Sequence, residues 1–287
     1  MPSSTKDLSV DVAKKMYIDR YGISTLTEFN TTLFVRFRNQ SPQLVYVKAI
    51  IEDANGNWTF DNGSTSKNLG SLDSLGTTNK YVTLKRAVPS SDVEGESFTI
   101  KFEFYRDSGY TQKVDTLTES IEANIIDFRN STDWTINLTD FEDGTEQGWT
   151  LNLFSITQDA SIEAGGYGAY YNNCGTHGIK RPSLTKTISI PSGITKAGIL
   201  FYWGVAIYHQ YHADEFKYVR IYVNGTKVYE DYVHKKSNGA LGWCQASVDL
   251  TPWKGQSVEV KIEMEGRTDG NDRYIKYAID DVIFVYK

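Results

Sequence analysis

A period of two runs through this chain. Apolar and polar residues alternate in about a dozen short segments, and that spacing sends successive side chains to opposite faces of a strand. Leu33, Val35 and Phe37 share one face, with Arg36 and Arg38 on the other. Val45, Val47, Ala49 and Ile51 point one way. Phe98, Ile100, Phe102 and Phe104 oppose Thr99, Lys101, Glu103 and Tyr105, and Ile121, Ala123 and Ile125 oppose Glu122 and Asn124. Leu8, Val10 and Val12, and then Val82 and Leu84, add two shorter strands. Turn formers such as Asp53-Ala54-Asn55-Gly56 and Asp107-Ser108-Gly109 separate them. Short alternating strands at this spacing predict an antiparallel sandwich.

The second half repeats the style. Ala197, Ile199, Phe201, Trp203 and Val205 alternate with Gly198, Leu200, Tyr202 and Gly204; both faces are apolar, which predicts a central strand. Val219, Ile221 and Val223 lead into Asn224-Gly225, the strongest short hairpin signal, and a partner strand follows over residues 227–232. Val258, Val260, Ile262 and Met264 alternate with Glu259, Lys261, Glu263 and Glu265, and the last strand covers residues 277–286. Residues 12–20 and 71–79 are the two stretches that could be helical. At roughly 100–200 residues per domain, 287 residues make two domains. A polar stretch, Arg129-Asn130-Ser131-Thr132-Asp133, reads as the linker between domains at 1–133 and 134–287. The expected fold class is all-β, two antiparallel β-sandwiches in series.

Charge and composition exclude several functions. Lys and Arg number 30 against 36 Asp and Glu, a net charge of −6, which lacks the basic excess of a nucleic-acid binder. The longest apolar-or-Gly run, residues 197–208, is too short to cross a bilayer as a helix, so no membrane insertion is expected. Residues 1–15 carry no apolar stretch after their first charges, so no signal peptide is visible. Yet seven Asn-x-Ser/Thr sequons occur, at Asn30, Asn39, Asn57, Asn62, Asn130, Asn137 and Asn224. Chance gives about three. Either Asn, Ser and Thr gather in β-turns, or the chain works outside the cell, on a cell surface or on a virion surface.

The second domain also carries an ordered set of landmarks. It opens Phe141-Glu142-Asp143-Gly144, with Trp149 soon after, and continues with Ser183 to Pro191, Ile199 to Trp203 and Val219 to Gly225. Near its end come Val248-Asp249-Leu250-Thr251-Pro252-Trp253-Lys254-Gly255 and Tyr277-Ala278-Ile279-Asp280-Asp281-Val282. This order resembles the extracellular jelly rolls of the galactose-binding-like, MAM and cleaved-adhesin families. The first domain is similar to CARDB-type immunoglobulin-like modules in residues 7–12 and 33–41. The resemblance implies an immunoglobulin-like sandwich followed by a jelly roll.

It also implies a structural Ca²⁺, held in those jelly rolls by a Glu from the opening strand and an Asp from the closing strand. Here those positions are Glu142 and Asp280, with Asp143 and Asp281 as neighbours. Carboxylates that converge need a cation between them. The alternative is that Asp280 or Asp281 bonds a turn. A second acidic loop, Asp269-Gly270-Asn271-Asp272, reads as a hairpin turn.

Aromatics accumulate in the second domain: Tyr167, Tyr170, Tyr171, Tyr208, Tyr211, Tyr218 and Tyr222, with Trp203, Trp243 and Trp253. A sugar offers a flat C–H face and hydroxyls, so its site wants rings beside polar side chains. Tyr208, Tyr211, His212 and Asp214 make that mixture in one loop, and residues 165–177 make another. Single tyrosines in strands also pack on a sheet with no ligand. The four histidines, His177, His209, His212 and His234, form no zincin motif, and no nucleophile elbow or phosphate loop exists. Acids are many and none forms a recognisable catalytic pair. Cys174 and Cys244 share the second domain; outside the cell they would bridge, adding about 4 kcal/mol in the chain-entropy model, and inside it they would stay thiols.

The expected function is therefore non-catalytic recognition of a glycan or glycoprotein surface. The alternatives are a structural building block that self-assembles, as a virion protein or surface-filament subunit, and an accessory module of a larger enzyme.

Overall fold

The computed structural model of the chain describes residues 7–158, 166–174, 178–208, 217–232, 239–240, 244–268 and 274–287. Contacts divide the chain into Met1–Asp127 and Phe128–Lys287. The division falls a few residues before the expected one at 133. Phe128 is fully buried and meets Trp134 edge-on at 5.5 Å, which draws the polar linker into the second unit.

The first unit has nine strands among its described residues. In chain order they are β1 (Leu8–Val12), β2 (Lys15–Asp19), β3 (Glu28–Asn39), β4 (Val45–Glu52), β5 (Trp58–Phe60), β6 (Ser66–Leu72), β7 (Gly76–Ala87), β8 (Val93–Tyr105) and β9 (Lys113–Ile126). They form two sheets, β1-β3-β7-β5 and β2-β9-β8-β4-β6. The alternating positions turn inward as the sequence demands: Val35, Phe37, Val47, Ala49, Ile100, Phe102 and Phe104 are all inaccessible. Phe37 of the first sheet meets Phe102 of the second edge-on at 5.2 Å, and Trp58 stacks on Phe98 at 5.0 Å. Neither expected helix forms. Residues 15–19 instead pair parallel to Glu122–Ile126 of β9 and bury Met16 and Ile18, and residues 71–79 fall in β6, a turn and β7. A single helical turn, α1 (Arg20–Ile23), is capped by the Asp19 carboxylate, which accepts from the Tyr21 N–H.

The second unit continues with β10 (Thr135–Thr139), β11 (Thr150–Asn152), β12 (Ser155–Gln158), β13 (Tyr167–Cys174), β14 (Gly178–Lys180), β15 (Ser183–Ser189), β16 (Ala197–Tyr208) and β17 (Lys217–Val223). It closes with β18 (Thr226–Tyr232), β19 (Gly239–Ala240), β20 (Cys244–Asp249), β21 (Ser257–Thr268) and β22 (Tyr274–Tyr286). One sheet runs β12-β13-β22-β16-β19, with β10 also on β22 and β20 also on β16. The other runs β11-β15-β21-β17-β18, with β14 also on β21. β16 is central, as its two apolar faces predict, with Ile199, Leu200 and Phe201 all inaccessible. Asn224 and Gly225 turn the β17–β18 hairpin at φ 48° and 75°, the paired positive values of a type I′ turn.

Several sequons serve this architecture. Asn39 is 1% exposed and its amide bonds the Gln43 and Asp73 carbonyls. Asn57 donates to Glu96, and Asn224 accepts from the Glu259 N–H. These three side chains thus hold neighbouring segments together.

Candidate functional site

The six-stranded sheet of the second unit turns Val219, Ile221, Val223, Val258, Val260, Ile262 and Met264 into the core. The intervening residues share the opposite face, and register lines them into rungs. Tyr232, Tyr218 and Glu265 form one; Glu230, Arg220, Glu263 and Ser183 the next; Lys227, Tyr222, Lys261 and Thr185 the third. A slip in the β17–β18 register between Ile221 and Tyr222 lets Lys227 join its rung.

Arg220 stands at the centre. Its Nε lies 2.5 Å from Glu230 Oε2 and its Nη1 lies 3.0 Å from Glu265 Oε2 and 3.8 Å from Glu263 Oε1. Each carboxylate has a second cation: Lys227 at 2.6 Å for Glu230, Lys261 at 2.5 Å for Glu263, and Arg181 for Glu265. All three glutamates are at most 5% exposed. Four cations thus balance three buried carboxylates. Burial pushes the Glu265 carboxyl up, but hydrogen bonds from Arg220 and Arg181 outweigh it and hold it below its ordinary value. A general acid needs the reverse.

The rings complete the face. Arg220 lies over Tyr218 at 4.6 Å, Lys261 over Tyr222 at 5.3 Å, and Tyr218 meets Tyr232 at 5.0 Å. Burial raises the Tyr218 and Tyr222 hydroxyls above their ordinary value, so both keep their protons at neutral pH. All three tyrosines are half-buried. The arrangement presents rings, hydroxyls and ammonium groups on a four-strand surface, above carboxylates held by ion pairs. Such a surface can exchange hydrogen bonds with a polyhydroxylated ligand while the rings cover its C–H faces.

The expected loop site lies mostly outside the described residues. Tyr208 ends β16, where its backbone pairs with Tyr274. Tyr211, His212 and Asp214 lie outside the described residues, as do Trp243, all four histidines and the acidic loop 269–272. Of the aromatic cluster, Tyr218 and Tyr222 join the polar face, whereas Trp203 is core at 4% exposure. Tyr171 stacks on Tyr277 at 6.3 Å in the other sheet. Sequence reasoning missed Arg220, Glu230, Glu263 and Glu265, although each sat at an outward position of a recognised strand.

The expected calcium ligands come only partly together. β10 does pair with β22, so the opening and closing strands lie side by side. β22 bulges at Asp281, which adopts φ 46° and donates its N–H to the Asp280 carboxylate at 2.8 Å. The Asp281 carboxylate pairs with Arg129. Burial pushes its carboxyl up, Arg129 opposes the shift, and Asp140 and Glu142 reinforce it. Glu142 Oε1 accepts from the Tyr167 N–H at 3.0 Å, and Asp143 caps Thr145. Among the described residues no three acidic, His or Cys side chains gather into a metal-holding group. Arg129 supplies a counter-charge at Asp281.

The strand order bears on the expected Cys174–Cys244 bridge. Cys174 pairs with Tyr274, Tyr274 with Tyr208, and Cys244 with Trp203, so β22 and β16 separate the two cysteines. Three inter-strand spacings span about 14 Å. A bridge needs Cα atoms within about 7 Å.

No protein-family model and no curated protein matches the chain. Among solved structures it is similar to a carbohydrate-binding module complexed with β-1,4-galactotriose, at 15% identity and TM-score 0.34, over 52% of this chain and 94% of that one. It is similar to a family 35 carbohydrate-binding module from Clostridium thermocellum, at 17% identity and TM-score 0.31, over 53% and 97%. Another, from work on promiscuous carbohydrate-binding modules of the β-sandwich superfamily, spans 98% of this chain and 99% of its own, at 12% identity and TM-score 0.32. No helix among the described residues is long and apolar enough to cross a membrane.

Proposed function

We propose that the second unit is a non-catalytic glycan-binding module whose ligand lies along the polar face of β15, β21, β17 and β18. The observation that supports this reading is the row of Tyr218, Arg220 and Tyr222 on one strand, flanked by Glu230, Glu263 and Glu265, which are buried yet fully ion-paired. Held carboxylates and guanidinium groups are pre-oriented partners for sugar hydroxyls, and half-buried rings give the stacking surface. The paired state of all three glutamates favours binding over hydrolysis. Residues 209–216, with Tyr211, His212 and Asp214, precede β17 in the sequence and lie outside the described residues.

The first unit serves as a spacer of immunoglobulin-like kind. Its neighbours β1-β3-β7 and β9-β8-β4 match the A-B-E and G-F-C order of that fold, while β5 and β6 each sit on the sheet opposite to the usual arrangement. The chain would then present its module on a cell or virion surface. Each hydroxyl exchanges water for protein, so single-site affinity is modest and clustered copies supply avidity.

The test is a glycan array probed with the whole chain clustered on beads, beside Tyr218→Ala, Tyr222→Ala and Tyr211→Ala. Binding at least tenfold weaker in Tyr218→Ala and Tyr222→Ala is expected. Loss only in Tyr211→Ala would move the site to the loop, and binding to no glycan would refute the reading.

A further inference from the structure

The inward face of β15 reads Leu184, Lys186, Ile188, so a lysine occupies a core-facing position between two buried aliphatic residues. It opens onto a cavity of about 350 Å³ inside the second unit, at the small end of the ~300–1,000 Å³ range of ligand sites. The floor is apolar: Ile188, Ile199, Val282 and Phe284 are each at most 8% exposed. The rim is polar, with Asn137, Thr187 and Ser189 exposed to solvent.

Among the described residues, Lys186 is the one ionisable residue lining this cavity. Its ammonium donates to the Gln147 carbonyl at 2.9 Å and lies 5.7 Å over the Trp149 ring. Gly148, at φ 83°, turns the chain beside it, and a Cβ there would stand 3.5 Å from Nζ. Burial lowers the ammonium below its ordinary value, and no carboxylate contributes an opposing effect. Among the described residues this ammonium has one main-chain acceptor and no counter-charge, so it keeps donors for an anion.

We infer that this cavity binds a small organic carboxylate with an apolar body, its carboxylate on Lys186 and its hydrocarbon on the Ile188, Val282 and Phe284 floor. The cavity rim includes Thr187 and Ser189 of β15 but none of the rung residues of the proposed glycan site, so the inference stands apart from the glycan reading. An apolar floor under a single cation favours such a ligand over a hydrophilic anion.

Hexanoate, hexanol, inorganic phosphate and glucuronate are titrated into the full chain and followed by ligand-observed NMR. Hexanoate should bind saturably and at least tenfold more tightly than each of the others. Lys186→Met should reduce hexanoate to the level of hexanol. Asn137→Trp, at the exposed rim, should block hexanoate with the fold unchanged by circular dichroism. Equal binding of hexanoate and hexanol, undiminished binding in both variants, or preference for phosphate or glucuronate would each overturn the inference.

Discussion

Replacing Arg220 with methionine keeps most of the stem and removes the guanidinium that three carboxylates share. Glu230, Glu263 and Glu265 are at most 5% exposed, so each depends on its cationic partners more than on water. Losing one partner of a buried pair costs about 3–5 kcal/mol. Lys227, Lys261 and Arg181 each still hold one carboxylate, which reduces that to about 2–3 kcal/mol. In a unit the length of Phe128–Lys287 this lowers the melting temperature by about 5–10 °C. The pH dependence fixes the cause. Glu265 is held below its ordinary value of 4.5 in the folded state, so its contribution is fully present above that value and is lost as pH falls through the folded pKa. Wild type and variant should therefore differ most near neutrality and converge in acid. Calorimetry of the full chain from pH 7 down to pH 3 measures this. A gap under about 2 °C at pH 7, or one that stays constant into acid, would refute the reasoning.

Two further outcomes test other parts of the structure. Glu96 accepts from Arg86 Nε at 2.9 Å, Trp58 Nε1 at 2.7 Å and Asn57 Nδ2 at 2.6 Å with a side chain 7% exposed, so Glu96→Gln should destabilise the first unit by about 3 kcal/mol. Urea unfolding followed through Trp58, the sole tryptophan of that unit, reads the change, and an unmoved midpoint would contradict it. Arg129→Ala leaves Asp281 beside Asp140 and Glu142 without its guanidinium, so Ca²⁺ should raise the variant's melting temperature more than that of wild type. Equal responses to Ca²⁺ and chelator would remove Arg129 as the counter-charge.

Much of the fold was legible because period two is a local property. β1 and β4 have the bounds that alternation gives, and Asn224-Gly225 turns as its dipeptide predicts. Residues 15–19 misled because a short amphipathic run suits helix or strand, and its pairing with β9, a hundred residues on, decided the outcome. The candidate face was half legible. Tyr218 and Tyr222 stood out as aromatics, but Glu263 and Glu265 looked like an ordinary solvated edge. They become a network only when register sets β21 against Arg220 of β17 and Glu230 of β18. A basic residue between two tyrosines, followed by strands with outward acids, was the available signal. The cysteine pairing was not legible, because strand order across a sheet is not written in spacing.

The parallel pairing of β2 and β9 has a mechanical side. The chain enters that pair at Lys15, opposite Glu122, and leaves it at Ile126, opposite Asp19. Because the strands run the same way, the incoming and outgoing ends lie at opposite ends of the ladder. Tension along the chain therefore pulls the strands past each other in shear. All five rungs resist together, whereas an antiparallel pair loaded from one end would peel open a rung at a time. The first unit is therefore expected to resist a pull on its two chain ends more strongly than a sandwich closed by an antiparallel terminal pair.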